Sequence, residues 1–182
     1  MRLMIISDIH GIKTNLGIIK HRYTELNCQK LIVLGDLYAG PDCEDRDVDF
    51  VRSFLESFKD NMICVLGNCD IFVNPELEPF PIEGTLAKLQ TVYSNIYFTH
   101  GHIYSPKNWN NHNSILISGH THVPSIFETS TNVFINPGSV SLPRNGSKAA
   151  YLFCNDNEFT IYDMQNNIIN HLEYTPKSTY IS

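Results

Sequence analysis

Five short apolar runs in this chain each stop, within a residue or so, on a side chain that can give an electron pair to a metal. Ile5-Ile6 leads to Asp8 and His10 in SDIHG, Ile32-Val33-Leu34 to Asp36 in LGDLY, and Val65-Leu66 to Asn68 in LGNCD. Tyr97-Phe98 leads to His100 in THGH, and Leu116-Ile117 to His120 and His122 in SGHTH. Runs this short and this apolar read as buried strands, and in open α/β sheets ligands sit beyond the carboxyl ends of the strands. A fold that satisfies the pattern has to bring five strand ends to one rim.

The spacing between the runs sets the layers. Leu16, Ile19, Tyr23 and Leu26 recur at helical steps between strands predicted at 3–6 and 31–34. Val48, Val51, Phe54, Leu55 and Phe58 mark a second amphipathic helix before a strand at 62–66. This β-α-β-α-β half predicts a parallel sheet with right-handed crossovers. From about Pro79 the texture changes to short strands, at 85–93, 96–99, 114–118, 125–129, 133–135, 149–154, 159–164 and 168–174. The expectation is an α/β fold, two sheets packed as an α/β/β/α sandwich. It forms a single domain over residues 1–174, with a frayed tail over 175–182.

Charge and cysteine content exclude several classes. A net charge of −6 argues against a general nucleic-acid or anionic-membrane surface. No apolar stretch approaches membrane-spanning length, and the amino-terminal run enters Asp8 too soon for a signal peptide. Five cysteines, odd in number and without a C-x-x-C pair, fit neither a disulfide framework nor a thiolate zinc site, so a reducing cytoplasm is expected.

Asp8 and His10, two apart at a strand end, are expected to point to the same side, with Ile9 turned away. Asp36 can offer one oxygen to each of two cations, Asn68 a carbonyl oxygen, and His100, His120 and His122 imidazole nitrogens. Two divalent ions bring four positive charges and the two carboxylates return two negative ones. With a bridging hydroxide the centre keeps about one positive charge, which suits a phosphate ester. Mixed imidazole, carboxylate and amide ligation points to manganese, iron, zinc or cobalt ahead of magnesium or calcium without choosing among those four; two divalent ions are expected, manganese first, with nickel, zinc, iron and cobalt as alternatives.

Five of the eight histidines fall in D-x-H, H-G-H and G-H-x-H settings. In this order D-x-H, G-D, G-N, H and G-H-x-H resemble the calcineurin-like metallophosphoesterases. Asn136-Pro137-Gly138-Ser139 resembles a further mark of their small single-domain bacterial and archaeal phosphodiesterase subgroup. The resemblance implies that Asp8, His10, Asp36 and His122 hold one metal and that Asp36, Asn68, His100 and His120 hold the other. It also implies a phosphoric diester hydrolase in which a metal-bridging hydroxide attacks phosphorus.

Cys69 departs from the wider family, where G-N-H-[DE] places a histidine thought to assist the leaving oxygen. A thiol is the poorer donor at neutral pH, so diesters with good leaving groups are expected to be preferred over alkyl monoesters. Asp70 is expected to orient a ligand histidine. His102 is either a ligand in place of His100 or a donor on the substrate side, and His100, nearer the strand end, is favoured as ligand. The expected partner is a small phosphate ester, with self-association into a homo-oligomer plausible on base rates. Two competing functions remain: a non-catalytic scaffold resembling a retromer subunit of the same fold, and a phosphomonoesterase or dinucleotide-polyphosphate hydrolase.

Overall fold

The computed structural model describes residues 1–176, so the expected tail lies, from residue 177 on, outside the described residues. Strand β1 (Arg2–Ile6) leads through helix α1 (Leu16–Glu25) to β2 (Lys30–Val33), and helix α2 (Val48–Glu56) leads to β3 (Met62–Cys64). The three strands are parallel, with Ile5 opposite Ile32 and Leu31 opposite Met62. Strands β4 (Leu86–Gln90), β5 (Asn95–Thr99), β6 (Ser114–Ser118), β7 (Ser125–Glu128) and β8 (Asn132–Asn136) make a second sheet in the order β4-β5-β6-β8-β7. Within it β5, β6 and β8 run parallel.

Alternation along each strand divides the core as the pleat requires. Leu3 and Ile5 of β1 join Ile32, Leu34, Phe98, Ile117 and Ile135 in the layer between the sheets. Met4 and Ile6 turn the other way, onto Leu16, Ile19, Val51, Phe54 and Leu55 of the two helices. Asp47 caps α2 by accepting the Phe50 N–H at 3.0 Å. That helix stops two residues short of Phe58, whose ring nevertheless enters the same core, edge-on to Tyr23 at 4.9 Å. The strand expected over 85–93 ends at Gln90, because Thr91 accepts the Tyr93 and Ser94 N–H groups in a tight turn into β5.

Two features go beyond the sequence reading. Strands β9 (Ala150–Asn155), β10 (Glu158–Asp163) and β11 (Ile168–Glu173) return to the first sheet, with β9 antiparallel beside β1, giving the order β11-β10-β9-β1-β2-β3. The outer face of the second sheet is covered, among the described residues, by the segment between β5 and β6 rather than by a long helix. Trp109 packs there on Leu116 and Phe134, and its indole N–H is satisfied by Ser114 at 2.9 Å. Among the described residues no helix is long and apolar enough to cross a membrane.

Candidate metal centre

The carboxyl ends of β1, β2, β3, β5 and β6 all open on one rim, and the seven residues expected as ligands meet there. Three of the five motifs, D-x-H, G-D and G-H-x-H, turn on unusual backbone. Asp8, His10, Asp36, His120 and His122 all adopt positive φ, between 53° and 69°. For residues with a Cβ this left-handed conformation costs about 1–2 kcal/mol, least for Asp, Asn and their like. Asp8 and His10 therefore face the same side because each sits in a left-handed turn beyond the end of β1, and not through strand alternation as expected. Ile9 between them is buried in the helix-side core. The turn is held against β2 by the Asp8 N–H on Gly35, the His10 N–H on Asp36 and the Gly11 N–H on Leu37.

Two glycines set how closely the loops approach. A Cβ on Gly67 would lie 2.1 Å from the Asp36 Oδ1 atom, and one on Gly119 would lie 1.8 Å from the Ser7 Oγ atom and 2.7 Å from the Asp8 Oδ2 atom. No side chain fits at either place, so the G-N and G-H steps of the motifs are steric requirements of the centre.

The imidazoles are oriented from behind. His10 donates its Nδ1–H to the Ala39 carbonyl at 2.6 Å, His100 to Leu34 at 2.8 Å and His122 to Leu142 at 2.5 Å. With Nδ1–H committed, each neutral ring presents an Nε2 lone pair to the centre, the arrangement that metal-binding histidines use. The Nε2 atoms of His10 and His122 lie 3.3 Å apart, and the Asn68 Oδ1 atom lies 2.9 Å from the His100 Nε2 atom. The Asp8 Oδ1 atom is 3.3 Å from the His122 Nε2 atom, fully buried and, among the described residues, without a hydrogen-bond partner. The Asp36 Oδ2 atom lies between two histidines, 3.6 Å from His10 Nε2 and 3.3 Å from His100 Nε2, while its Oδ1 accepts the Cys69 N–H at 2.8 Å.

Lone pairs facing one another in a buried space are unfavourable unless a cation lies among them. The residues therefore fit divalent metal. Ligand atoms of Asp8, His10 and His122 all lie within 4.8 Å of one another, as do those of Asp8, Asp36 and His100 and those of His10, Asp36 and Cys69. Without an ion, Asp36 and His100 stabilise each other's charged forms. Burial alone would favour a neutral Asp36, but His100 and the Cys69 N–H hold its carboxyl well below the usual range. Burial disfavours a charged His100, yet Asp36 and Asp8 outweigh it and raise that imidazole above its ordinary value.

The two sides of the centre differ in exposure. Asp8, His10, Asp36, His100 and His122 are buried, whereas Asn68 and His120 reach the open rim. His120 approaches the His100 Nε2 atom through its Nδ1 atom at 3.2 Å. His102 is exposed on the same rim, its ring 5.4 Å from that of His100, and is set back from the floor that His100 occupies. Cys69 is half-buried beside Asp36, and burial together with that carboxylate pushes its thiol up to about 11. His21, His112 and His171 are exposed, as is the acidic loop from Asp42 to Asp45.

Asp70 corrects an expectation. It touches no histidine; its Oδ2 accepts the N–H groups of Asp36 at 2.7 Å and Gly67 at 2.8 Å, and its Oδ1 that of Leu37 at 2.8 Å. The loop after β3 folds back so that this buried carboxylate faces backbone donors of the Asp36 turn. Burial and the neighbouring Asp36 charge raise its carboxyl despite those three bonds.

Sequence reasoning missed one contributor. Arg144 follows the His122-holding carbonyl of Leu142 by two residues, and Ser147 donates to both the Arg144 and His122 carbonyls at 2.7 and 3.3 Å. Burial, His100 and, further down, Arg144 lower His120, and Arg144 also contributes to lowering His122 after burial. The N-P-G-S segment singled out in the sequence, which starts at the last residue of β8, also contributes. Asn136 donates to the Gly119 carbonyl at 2.6 Å and to the Thr121 hydroxyl at 3.0 Å, so the N-P-G-S turn braces the G-H-x-H loop.

A family model of the calcineurin-like phosphoesterase superfamily domain matches residues 1–157. Phosphodiesterase YfcE of Escherichia coli K12 is 34% identical over 157 residues, covering 83% of this chain and 85% of that protein. The solved structure of the E. coli phosphoesterase YfcE superposes with a TM-score of 0.88 at 31% identity, over 95% of this chain and 99% of that one. Vacuolar protein sorting 29 of Cryptosporidium parvum shares the fold at a TM-score of 0.60 and 18% identity, over 96% of this chain and 97% of that one. The matched span takes in every strand end that carries a ligand-type side chain, and the chain belongs to the calcineurin-like phosphoesterase superfamily.

Proposed function

We propose that this protein is a phosphodiesterase that works with two divalent metal ions. One is held by Asp8, His10, Asp36 and His122, the other by Asp36, Asn68, His100 and His120. The observation that carries the reading is the Asp8 Oδ1 atom, buried and, among the described residues, without a hydrogen-bond partner, beside imidazole nitrogens whose N–H groups point away to backbone carbonyls. Two such ions, when bound, supply a nucleophilic water at neutral pH and neutralise charge on the phosphoryl oxygens. Kinship with a protein named a phosphodiesterase supports the substrate class.

The chain's own groups account for the rest. Asp36 faces both histidine sets and is the shared ligand. His102 and Arg144, exposed at the rim, are placed to meet the ester oxygens that extend beyond the buried floor. Cys69 stands where a histidine would serve as proton donor, and a thiol is the poorer donor at neutral pH. A leaving oxygen therefore departs with little help, which favours aryl over alkyl esters. Manganese is the proposed ion, and the five free cysteines favour a reducing cytoplasm.

The test is hydrolysis of an aryl phosphodiester and an aryl monoester after chelation and refilling with Mn²⁺, Ni²⁺, Zn²⁺ or Mg²⁺. Diester turnover lost on chelation and restored by manganese is expected; turnover indifferent to chelation defeats the reading. Cys69→His is expected to raise activity on alkyl monoesters relative to aryl diesters, and an unchanged ratio removes the role given to Cys69. Arg144→Ala is expected to raise KM for the aryl diester on the order of tenfold, the worth of one charge-assisted contact. Its kcat and metal content should stay near those of the parent. A scaffold role is less well supported, because a complete set of converging ligands has no use in a purely structural protein.

A further inference from the structure

The turn that follows β8 reaches two of the ligand loops at once. The Asp8 carbonyl accepts the hydroxyls of Ser139 at 2.8 Å and Ser141 at 3.0 Å, and the Ile9 carbonyl accepts Ser141 at 2.8 Å. These are the peptides between the two left-handed residues Asp8 and His10, at φ 57° and 54°. Ser139, itself fully buried, accepts the N–H of Leu142 at 2.7 Å and of Ser141 at 3.2 Å. Leu142 then takes the Nδ1–H of His122 on its carbonyl, and the Val140 N–H bonds Ser7 at 3.1 Å. One hydrogen-bonded chain therefore runs from the Asp8–His10 turn through residues 139–142 to the His122 ring.

The other ligands are fixed by different means. His100 is oriented by Leu34, and the Asp36 turn is fixed by Asp70. Neither serine touches these residues.

Resting on the two-metal reading above, we infer that Ser139 and Ser141 are positioning residues for one of the two ions, the one that Asp8, His10 and His122 would hold. The strained turn needs external donors to keep both side chains aimed at His122, whose own aim depends on the same segment. Loss of the hydroxyls frees the Asp8 and Ile9 carbonyls and lets the turn relax toward ordinary φ. The ion on that side should then bind more weakly, while the ion held by Asn68, His100 and His120 should not.

Calorimetric titration of the metal-stripped protein with Mn²⁺ tests this, with thermal melting of the metal-free form measured in parallel. The parent is expected to take up two equivalents. Ser139→Ala and Ser141→Ala are expected to keep one equivalent at the parent's affinity and to weaken the other by roughly 10–100-fold, the usual cost of losing an outer support of a metal ligand. Ser141 is only partly buried, so its variant guards against a folding failure at Ser139, and Ser141→Thr, which keeps the hydroxyl, should bind as the parent does. Equal weakening of both equivalents, or no change in either, overturns the inference. A parent that takes up no manganese instead overturns the two-metal reading on which it stands.

Discussion

Asp36→Asn is expected to lower diester turnover at saturating Mn²⁺ by on the order of 10³-fold or more, several kcal/mol of barrier in the terms of metal-assisted catalysis. The substitution keeps the shape of the side chain and removes its charge. One oxygen of Asp36 faces histidines from both ligand sets, at 3.6 Å from His10 and 3.3 Å from His100, nearer to His100 than the Asp8 carboxylate at 4.0 Å, so its loss disturbs both ions together. The other oxygen accepts the Cys69 N–H, a bond an amide oxygen can also accept, so the fold should survive. Activity within tenfold of the parent, at equal metal content, would remove Asp36 as the shared ligand.

Asp70→Ala should act on stability first. Its carboxylate is the partner of three N–H groups, those of Asp36, Leu37 and Gly67, and the residue is 3% exposed. Each buried donor left unpaired costs about 1–3 kcal/mol. Three such donors, partly re-solvated by water entering the gap, imply a loss of about 3–5 kcal/mol, a large share of the 5–15 kcal/mol that holds a typical domain together. Chemical denaturation of the metal-free protein measures it. Cys69→Ala, one residue away and half-exposed, should change stability by less than about 1 kcal/mol. A melting profile for Asp70→Ala that matches the parent's would show that the Asp36 turn holds without its clamp.

The layers were legible in the sequence where burial leaves a periodic trace. Leu16 and Ile19 on one helix face, and Leu3 and Ile5 alternating with Met4 and Ile6, announced their elements before any partner was known. The candidate ligands were legible because each follows a short apolar run, and such runs end at the rim of a sheet. What alternation cannot specify is a strand's neighbour. Nothing in residues 150–155 says that β9 pairs with β1 and not with a strand of the second sheet.

Long-range hydrogen bonds left still less trace. Ser139 and Ser141 reach Asp8 across more than a hundred residues, and the only local sign was the turn chemistry of Asn136-Pro137-Gly138-Ser139. Asp70 was misread because two of the three backbone donors it serves, those of Asp36 and Leu37, lie more than thirty residues earlier. The positive φ values at Asp8, His10, His120 and His122 were compatible with those residue types but not compelled by them.

The account rests on two cations gathered by Asp8, His10, Asp36, Asn68, His100, His120 and His122. Crystals of the protein grown or soaked with Mn²⁺, with data collected at the manganese absorption edge, test it most directly. Two anomalous peaks are predicted, one bounded by Asp8, His10 and His122, the other by Asn68, His100 and His120, with Asp36 touching both. No peak at this rim, or peaks bound by other side chains while these seven stay in place, would contradict it.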